Sequence, residues 1–382
     1  MVDMWNRIEA LHNLGISCDV VATVAQPPSP QNRAHLESAV QNLILCRRES
    51  GKKGVLSLRP GHVAIRYDLR KVKLPRTYDL TLLQTEFTSD ILRNPTLQTK
   101  AVAIRVDNDE FSFHLQTAKA EKSIPLKAYF LLEALRIKWH SSKILPKADK
   151  LWFVSHKEEN KYRARARNRN HQEIDFLPAG IDLKLLDHPP LAGHQVLFVG
   201  NLWAQMNREA LEWYLTNVHP LLQDVQGYTF VIAGSSRGRP CEWLQNLSSG
   251  QANISIHYDP DDLSPYYRSS ALFVNPMQKG AGVKLKTIEA ALRGLPIVTT
   301  EIGAEGSGLQ DDIHCLYAGS PTTFADAIRK LLYDKDMAGQ LARSAQAFIA
   351  DHYDQEKALR RLLLSDTDHA GQPLTHIATL SL

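Results

Sequence analysis

Cysteine is scarce in this chain and nowhere paired. Cys18, Cys46, Cys241 and Cys315 are the only four in 382 residues, with no CxxC spacing among them, so neither a zinc site nor a disulfide framework is implied. A reduced, cytoplasmic compartment fits that usage. No apolar run approaches the roughly 20 residues that a bilayer-spanning helix needs, and no secretory signal pattern opens the chain. Repeats and low-complexity tracts are missing too. The chain has no GxxxxGK[ST] and no GxGxxG in its proper strand-to-helix place, which argues against a P-loop NTPase and an ordinary dehydrogenase. Nor does an acidic pair of the DxD kind stand where a metal would be wanted, so no metal site is expected. Glycosidase chemistry fits poorly, because no acid and nucleophile pair can be identified.

What is present describes an ordinary globular protein of about two domains. Hydrophobic residues make up 43% and charged residues 23%, which removes the disordered, collagenous and membrane-embedded classes. The net charge of +4 conceals an asymmetry: residues 1–190 hold 30 Lys and Arg against 21 Asp and Glu, the remainder 15 against 20. The basic residues are not interleaved with aromatics and no nucleic-acid motif occurs, so nucleic acid is not expected as a partner. An anionic acceptor or an anionic membrane surface suits the basic half better.

The chain is organised around residues 271–308, ALFVNPMQKGAGVKLKTIEAALRGLPIVTTEIGAEGSG. An apolar run from Ala271 to Val274 ends at Asn275-Pro276 and a loop with Gly280 and Gly282 follows, the pattern of a strand feeding a flexible turn. From Lys284, the residues Leu285, Ile288, Ala291 and Leu292 recur at helical spacing until Gly294 and Pro296 end the helix. A β-branched strand, Pro296 to Thr300, and a second small-residue loop, Gly303 to Gly306, complete the unit. Glycines admit a ligand close to the backbone, and the helix start presents unpaired N–H groups with a partial positive charge, so the unit favours a phosphate. Lys284 and Lys286 add positive charge there, which opposes the helix dipole unless an anion is near. Glu289, a turn deeper, is placed to accept hydrogen bonds from sugar hydroxyls. Connection chemistry common to α/β proteins is the plainer reading of the same stretch.

This segment resembles the donor-binding segment of the group-1 glycosyltransferases, a large retaining family with a GT-B fold. The resemblance runs upstream through VLFVGNLWAQMNREALEWYLTNVHPLL and YTFVIAGSS to the loop around His257 and Tyr258. It is strong from Val196 to about Tyr353 and weaker from Trp5 to Gly180. It implies an α/β chain of two Rossmann-like, doubly wound domains facing a central cleft, with a C-terminal helix crossing back to the first domain. The implied boundaries are residues 1–188 for acceptor binding, 189–352 for the nucleotide sugar, and 353–382 for the crossing helix and a loose tail. In the family, lysines matching Lys284 and Lys286 hold the diphosphate, and a glutamate matching Glu289 holds the ribose. The backbone of Gly280, Ala281, Gly282 and Val283, with Gly200, Asn201 and Tyr258, would complete the donor site. The family motif is two glutamates separated by seven residues. Ala281 replaces the first, which leaves backbone amides to meet the donor sugar. RVDNDEF resembles the family's R-x-H-N-x-E, with Asp107 where a histidine near the sugar is usual. A turn or cap aspartate is the plainer reading of Asp107.

The resemblance therefore implies metal-independent transfer, without a cofactor, of a sugar from a nucleotide diphosphate to a polysaccharide, glycolipid or lipid-linked acceptor. Asp107, Lys286 and Glu289 are the candidate catalytic residues. An inactive or truncated nucleotide-sugar-binding subunit and a nucleotide-sugar epimerase are the alternatives.

Taken in order, the chain opens with a helix that carries Met4, Ile8, Leu11 and Leu14 on one face and stops at Gly15, followed by a strand from Asp19. A doubly wound domain ordinarily begins with a strand and glycine turn before such a helix. That first strand is missing here, so a start truncated upstream is expected. Residues 34–48 read as a helix, 55–58 and 63–68 as short strands, and YDLTLLQTE and AVAIRVDNDE as buried strands with polar ends. A long basic helix spans about Pro125 to Leu145; its default role is to face the core, and its lysines also allow peripheral docking on anionic lipid. Residues 161–171, KYRARARNRNH, form a dense basic run that most often is a solvated face; binding of a phosphate-bearing acceptor is the alternative. Residues 176–194 read as the linker.

Overall fold

The structure, a computed structural model, describes residues 2–49, 54, 57–107, 109–165, 172–181, 193–280, 282–364 and 375–381. Residues 166–171 of the basic run, 182–192 of the linker and 365–374 of the expected tail lie outside the described residues. The described strands, numbered in chain order, are β1 Ser17–Val24, β2 Asn42–Arg47, β3 Thr77–Leu83, β4 Gln98–Val106, β5 Lys150–Phe153, β6 Glu173–Phe176, β7 His194–Val199, β8 Tyr228–Gly234, β9 Ile254–Tyr258, β10 Leu272–Asn275, β11 Ile297–Thr299, β12 Leu316–Tyr317 and β13 His376–Ser381. Two compact units contain them: Met1–Asp182 together with Asp354–Leu382, and Leu183–Tyr353.

The first unit is a parallel sheet in the order β2-β1-β13-β3-β4-β5-β6. Its strands read as apolar runs because helices cover both faces. On one face, Ile8 and Leu11 of the helix Val2–Asn13 pack with Leu359, Leu362 and Leu363 of the helix Gln355–Leu364, over Val20, Leu80 and Ile377. The opposite face buries Val21, Leu83, Ile104, Leu151 and Leu380. Gly15, at φ +74°, ends the first helix in the left-handed conformation that glycine adopts without strain.

The strand missing ahead of the first helix is supplied from the other end of the chain. β13 lies between β1 and β3, parallel to both, with Ser17 opposite His376 and Leu80 opposite Ile377. Ile377, Ala378 and Leu380 are each 1% exposed. The Asp79 carboxylate fixes its entry by accepting from the amides of Thr375 at 2.9 Å and His376 at 3.1 Å. A loose tail over 376–381 is thus corrected, as is a sheet without its first strand. Six residues with only three large or small apolar side chains carry too little pattern to be read as a strand at a chain end.

Two further expectations are revised. Residues 34–48 do not form one helix: the helix Pro30–Glu37, capped by Ser29, buries none of its side chains, and the run Leu43 to Cys46 forms β2 beside β1. Four consecutive apolar residues suit a sheet edge better than one helix face. Residues 63–68 are not a strand either, because Pro60 opens the short helix Gly61–Ala64 and the chain continues into the 3-10 turn Tyr67–Arg70. Of residues 55–58, the first two lie outside the described residues and the other two are not in a strand.

The second unit is a parallel sheet in the order β12-β11-β10-β7-β8-β9. Phe198, Phe230, Leu272, Val298 and Phe324 centre its core. The chain winds outward from β7 to β9, then restarts on the other side of β7 with β10. The crevice at the carboxyl ends of β7 and β10 is consequently the topological switch point, where open α/β sheets bind ligands.

Candidate donor site

A cavity of about 640 Å³ opens at that switch point. Gly200 and Asn201 reach it from the end of β7, Gly234 and Ser235 from the end of β8, and Val283, Lys284, Lys286 and Glu289 from the loop and helix after β10. The helix Leu285–Leu292 begins at Lys284, and its first amides, which lack intrahelical partners, lie at the cavity wall.

A buried web holds that helix start in place. The Asn275 amide, at the end of β10, donates to Thr287 Oγ1 at 2.8 Å and to the Gly303 carbonyl at 2.8 Å, while Thr287 Oγ1 donates to the same carbonyl at 2.7 Å. Glycine is obligatory at 303, because a Cβ there would sit 2.4 Å from the Asn275 carbonyl oxygen. Gly234 meets the same limit: its Cβ would lie 1.8 Å from the Gly200 carbonyl oxygen. Only a bare backbone lets the ends of β7 and β8 approach this closely.

Both lysines belong to the cavity. Lys284 is 5% exposed; its ammonium donates to the Gly282 carbonyl at 2.7 Å and stands 3.6 Å from the Glu305 carboxylate. Lys286 donates to Asn207 Oδ1 at 2.7 Å and sits 4.4 Å from the centre of the Phe198 ring. Burial, reinforced by Lys284, pushes the Lys286 ammonium down to about 7. Two clustered cations, one of them made easier to deprotonate by burial and by the other, describe a place that favours an anion. Glu289, at the rim, is 3.5 Å from Arg293.

Beside them, the Asp259 carboxylate closes a turn. It accepts from the amides of Ser236 at 2.8 Å, Arg237 at 3.1 Å and Gly238 at 3.1 Å, and from the Ser235 hydroxyl at 2.9 Å. These donors hold it well below the usual carboxylate range, the Ser236 hydroxyl contributing most.

Of the residues singled out from sequence, Gly200, Asn201, Val283, Lys284, Lys286 and Glu289 line one cavity. Gly280 stands beside it, since a Cβ there would be 3.7 Å from the Lys284 ammonium, and Gly282 contributes the carbonyl that Lys284 holds. Tyr258 ends β9 and is not part of the lining, although the next residue, Asp259, is. Ala281 lies outside the described residues. Asp107 belongs to the first unit, where it pairs with Arg105; Arg105 reaches Asp3 at 3.1 Å, and the fully buried Arg7 reaches Asp3 at 2.9 Å. That network ties the end of β4 to the first helix. Asn207, Met206 and Asp259 were not foreseen, because each enters the cavity from a segment far from the central stretch. Among the described residues, no three His, Cys, Asp or Glu side chains gather as a metal site.

The fold and site define a group-1 glycosyltransferase, and the chain belongs to that family. Residues 193–334 match the family described as glycosyl transferases group 1. Over 373 residues, 93% of this chain and 92% of the other, it is 31% identical to a Klebsiella pneumoniae protein described as an uncharacterized 44.6 kDa protein in cps region. Among solved structures, sucrose-phosphate synthase from Thermosynechococcus elongatus superposes with a TM-score of 0.59 at 17% identity, over 91% of this chain and 98% of that one. Anabaena HepE in complex with UDP and glucose gives 0.59 at 12% identity, over 92% and 99%. TarM gives 0.55 at 14% identity over 79% of this chain, which spans only 57% of TarM. These likenesses establish the two-domain GT-B fold.

Proposed function

We propose that this glycosyltransferase moves a sugar from a nucleoside-diphosphate sugar to a saccharide or lipid-linked acceptor, with retention of anomeric configuration and without a divalent metal. The observation that carries the donor half is the convergence of Lys284, Lys286 and one helix start on the switch-point cavity. As the bond from sugar carbon to phosphate oxygen breaks, the diphosphate gains charge. Preorganised amides and ammonium groups stabilise that charge more than they stabilise the bound donor, which lowers the barrier. With two cations in place, a metal ion is not needed for the same duty. The acceptor oxygen forms the new bond to the sugar carbon as the bond to the phosphate oxygen breaks, and its proton passes to the departing diphosphate. UDP is the first nucleotide to test, since HepE is described in complex with it, and a glycan product agrees with a relative from a cps region.

The inactive-subunit reading rested partly on the lost first strand, and β13 now occupies that place. A screen of nucleotide sugars, followed by thermal shift and by product analysis with and without added saccharides, tests the three readings. Transfer to a saccharide with the α or β configuration kept, and unaffected by EDTA, supports the proposal. Donor isomerisation without an acceptor would support the epimerase, and binding without turnover the inactive subunit.

Contact with the inner membrane face belongs to the same proposal. The helix Ile124–Ile144 leaves Ile124 81%, Leu135 62% and Trp139 55% exposed, and Lys127, Lys138 and Lys143 lie on the same helix, with the Lys143 ammonium 3.8 Å from the Trp139 ring centre. Apolar anchors flanked by lysines fit an anionic lipid interface. No described helix is long and apolar enough to cross a membrane. Co-sedimentation with phosphatidylglycerol but not phosphatidylcholine vesicles, weakened in Leu135→Ser and Trp139→Ser, is the expected result; equal binding to both would refute it.

A further inference from the structure

The first unit contains a second cavity, about 470 Å³, over the carboxyl ends of β4 and β5. The helices Glu110–Ala120, Ile124–Ile144 and His156–Arg165 wall it, through Phe111, Ile137, Ser141 and Tyr162 among others. Its volume falls within the roughly 300–1,000 Å³ of small-molecule sites.

Glu86, beyond the end of β3, lines this cavity while only 9% exposed. One carboxylate oxygen, Oε1, accepts from the Ser141 hydroxyl, and among the described residues no cation pairs with Glu86. Three cations also line the cavity: Lys161 is bonded to Asp109 and stands 3.6 Å from Glu158, the Lys138 ammonium lies 5.2 Å from the centre of the Phe111 ring, and Arg165 is exposed at the end of its helix. Burial, with Glu110, Asp109 and Asp107 adding negative charge and the Ser141 hydroxyl opposing them, pushes the Glu86 carboxyl up to about 7.

A carboxylate this enclosed is costly unless its free oxygen meets a donor. The rest of the wall narrows the donor's nature. Aromatic and aliphatic faces, Phe111, Phe153, Ile137 and Leu145, alternate with the hydroxyls of Ser141 and Ser142. That mixture suits a pyranose ring, which has apolar C–H faces and a rim of hydroxyl donors. A phosphate would meet four carboxylates, Glu86, Asp109, Glu110 and Glu158, against the three cations Lys138, Lys161 and Arg165, the first of the carboxylates buried.

We infer that this cavity is the subsite for a neutral saccharide ring of the acceptor, with Glu86 accepting one of its hydroxyl hydrogens. The inference rests on the glycosyltransferase reading for the word acceptor, but the binding itself can be tested alone. It also narrows the acceptor: the ring held here is uncharged, whatever charge the remainder of the molecule carries.

The test uses the full chain, titrated by calorimetry and saturation-transfer NMR with neutral methyl glycosides and their disaccharides, with glucosamine, with glucose 1-phosphate, and separately with UDP. Glu86→Gln keeps the shape of the floor but removes its charge. Ser142→Trp blocks the cavity from an exposed position, and melting curves check that both variants fold. The expected result is saturable binding of at least one neutral glycoside, weakened about tenfold or more by Glu86→Gln, the weight of a hydrogen bond to a charged group. Ser142→Trp should abolish it, with UDP affinity unchanged in both. Neutral glycosides that bind wild type and both variants equally would overturn the inference, as would a preference for glucose 1-phosphate or glucosamine, or no saccharide binding by a chain that binds UDP. Loss of UDP binding alone, with Glu86-dependent glycoside binding intact, would sink the donor reading and leave the subsite standing.

Discussion

Lys286 is where charge, burial and function meet. Its ammonium is depressed to about 7 in the empty cavity, so below that pH it is charged before the donor arrives, and above it a proton must be taken up on binding a diphosphate. Affinity for a nucleoside diphosphate is therefore expected to be highest below about pH 7 and to fall by up to about tenfold per unit above it, with proton uptake on binding visible by calorimetry in buffers of different ionisation heat. A flat profile from about pH 6 to 9 would contradict this account of Lys286. Lys286→Ala should lower kcat by roughly 10²–10³, comparable to removal of one preorganised oxyanion donor, and raise the donor KM by a smaller factor. Much of this site was legible at residue level because the glycines, both lysines and Glu289 lie within one short stretch whose local chemistry points at an anion. Asn207 was not legible. Its amide donates to the nearby Asn201 carbonyl at 3.0 Å while its oxygen accepts from Lys286, a partner 79 positions away in the chain, and nothing near Asn207 itself signals the second bond.

At the level of elements, the helix Leu285–Leu292 depends on a strand end for its aim. Asn275→Ala removes the bonds to Thr287 and Gly303 and leaves the Gly303 carbonyl with Thr287 alone; a loss of about 2–3 kcal/mol, read from denaturant melts, is expected for these buried polar groups. The same variant should weaken nucleotide binding, because the helix start loses its fixed position. Strands and helices with strong periodic or apolar runs were read correctly, among them β3, β4, β10 and the helix Ile124–Ile144. The failures were short elements whose identity depends on a neighbour: β2 exists because β1 offers it an edge, and β13 because β1 and β3 leave a slot between them. Deleting residues 375–382 should consequently split the first sheet and give an insoluble or molten first unit, detected by loss of cooperative unfolding. Moving the same residues ahead of Val2 through a short linker should restore the sheet order and the melting temperature. If the deletion melts like the full chain, β13 is not a working member of the sheet.

On the scale of the whole molecule, each unit has its own sheet and its own core, which predicts two unfolding transitions rather than one. A nucleoside diphosphate should raise the transition of the second unit alone, by about 2.7 kcal/mol at a hundredfold excess over Kd. A scan in which both transitions move together would show that the donor is felt beyond the unit that holds it. The two-domain plan was visible in the sequence through length and the Pro- and Gly-rich stretch near residue 180. The return of the C-terminal segment to the first unit was expected from the resemblance; what sequence order could not convey is that this segment also adds a strand, β13, to the middle of the first sheet.

That arrangement sets a timetable for synthesis. While the ribosome is still translating, the first unit emerges with an open slot between β1 and β3, and the second unit, contained in one continuous segment, is free to fold. The first unit can close only after residues 376–381 have emerged, so its contacts are among the longest in sequence that the chain makes and the slowest to form. A chain that stopped before residue 376 would present two unpaired strand edges, on β1 and β3, to its surroundings. Arrival of β13 and closure of the first sheet are the same event, so a copy ended before residue 376 is exposed to aggregation or degradation before it can meet an acceptor.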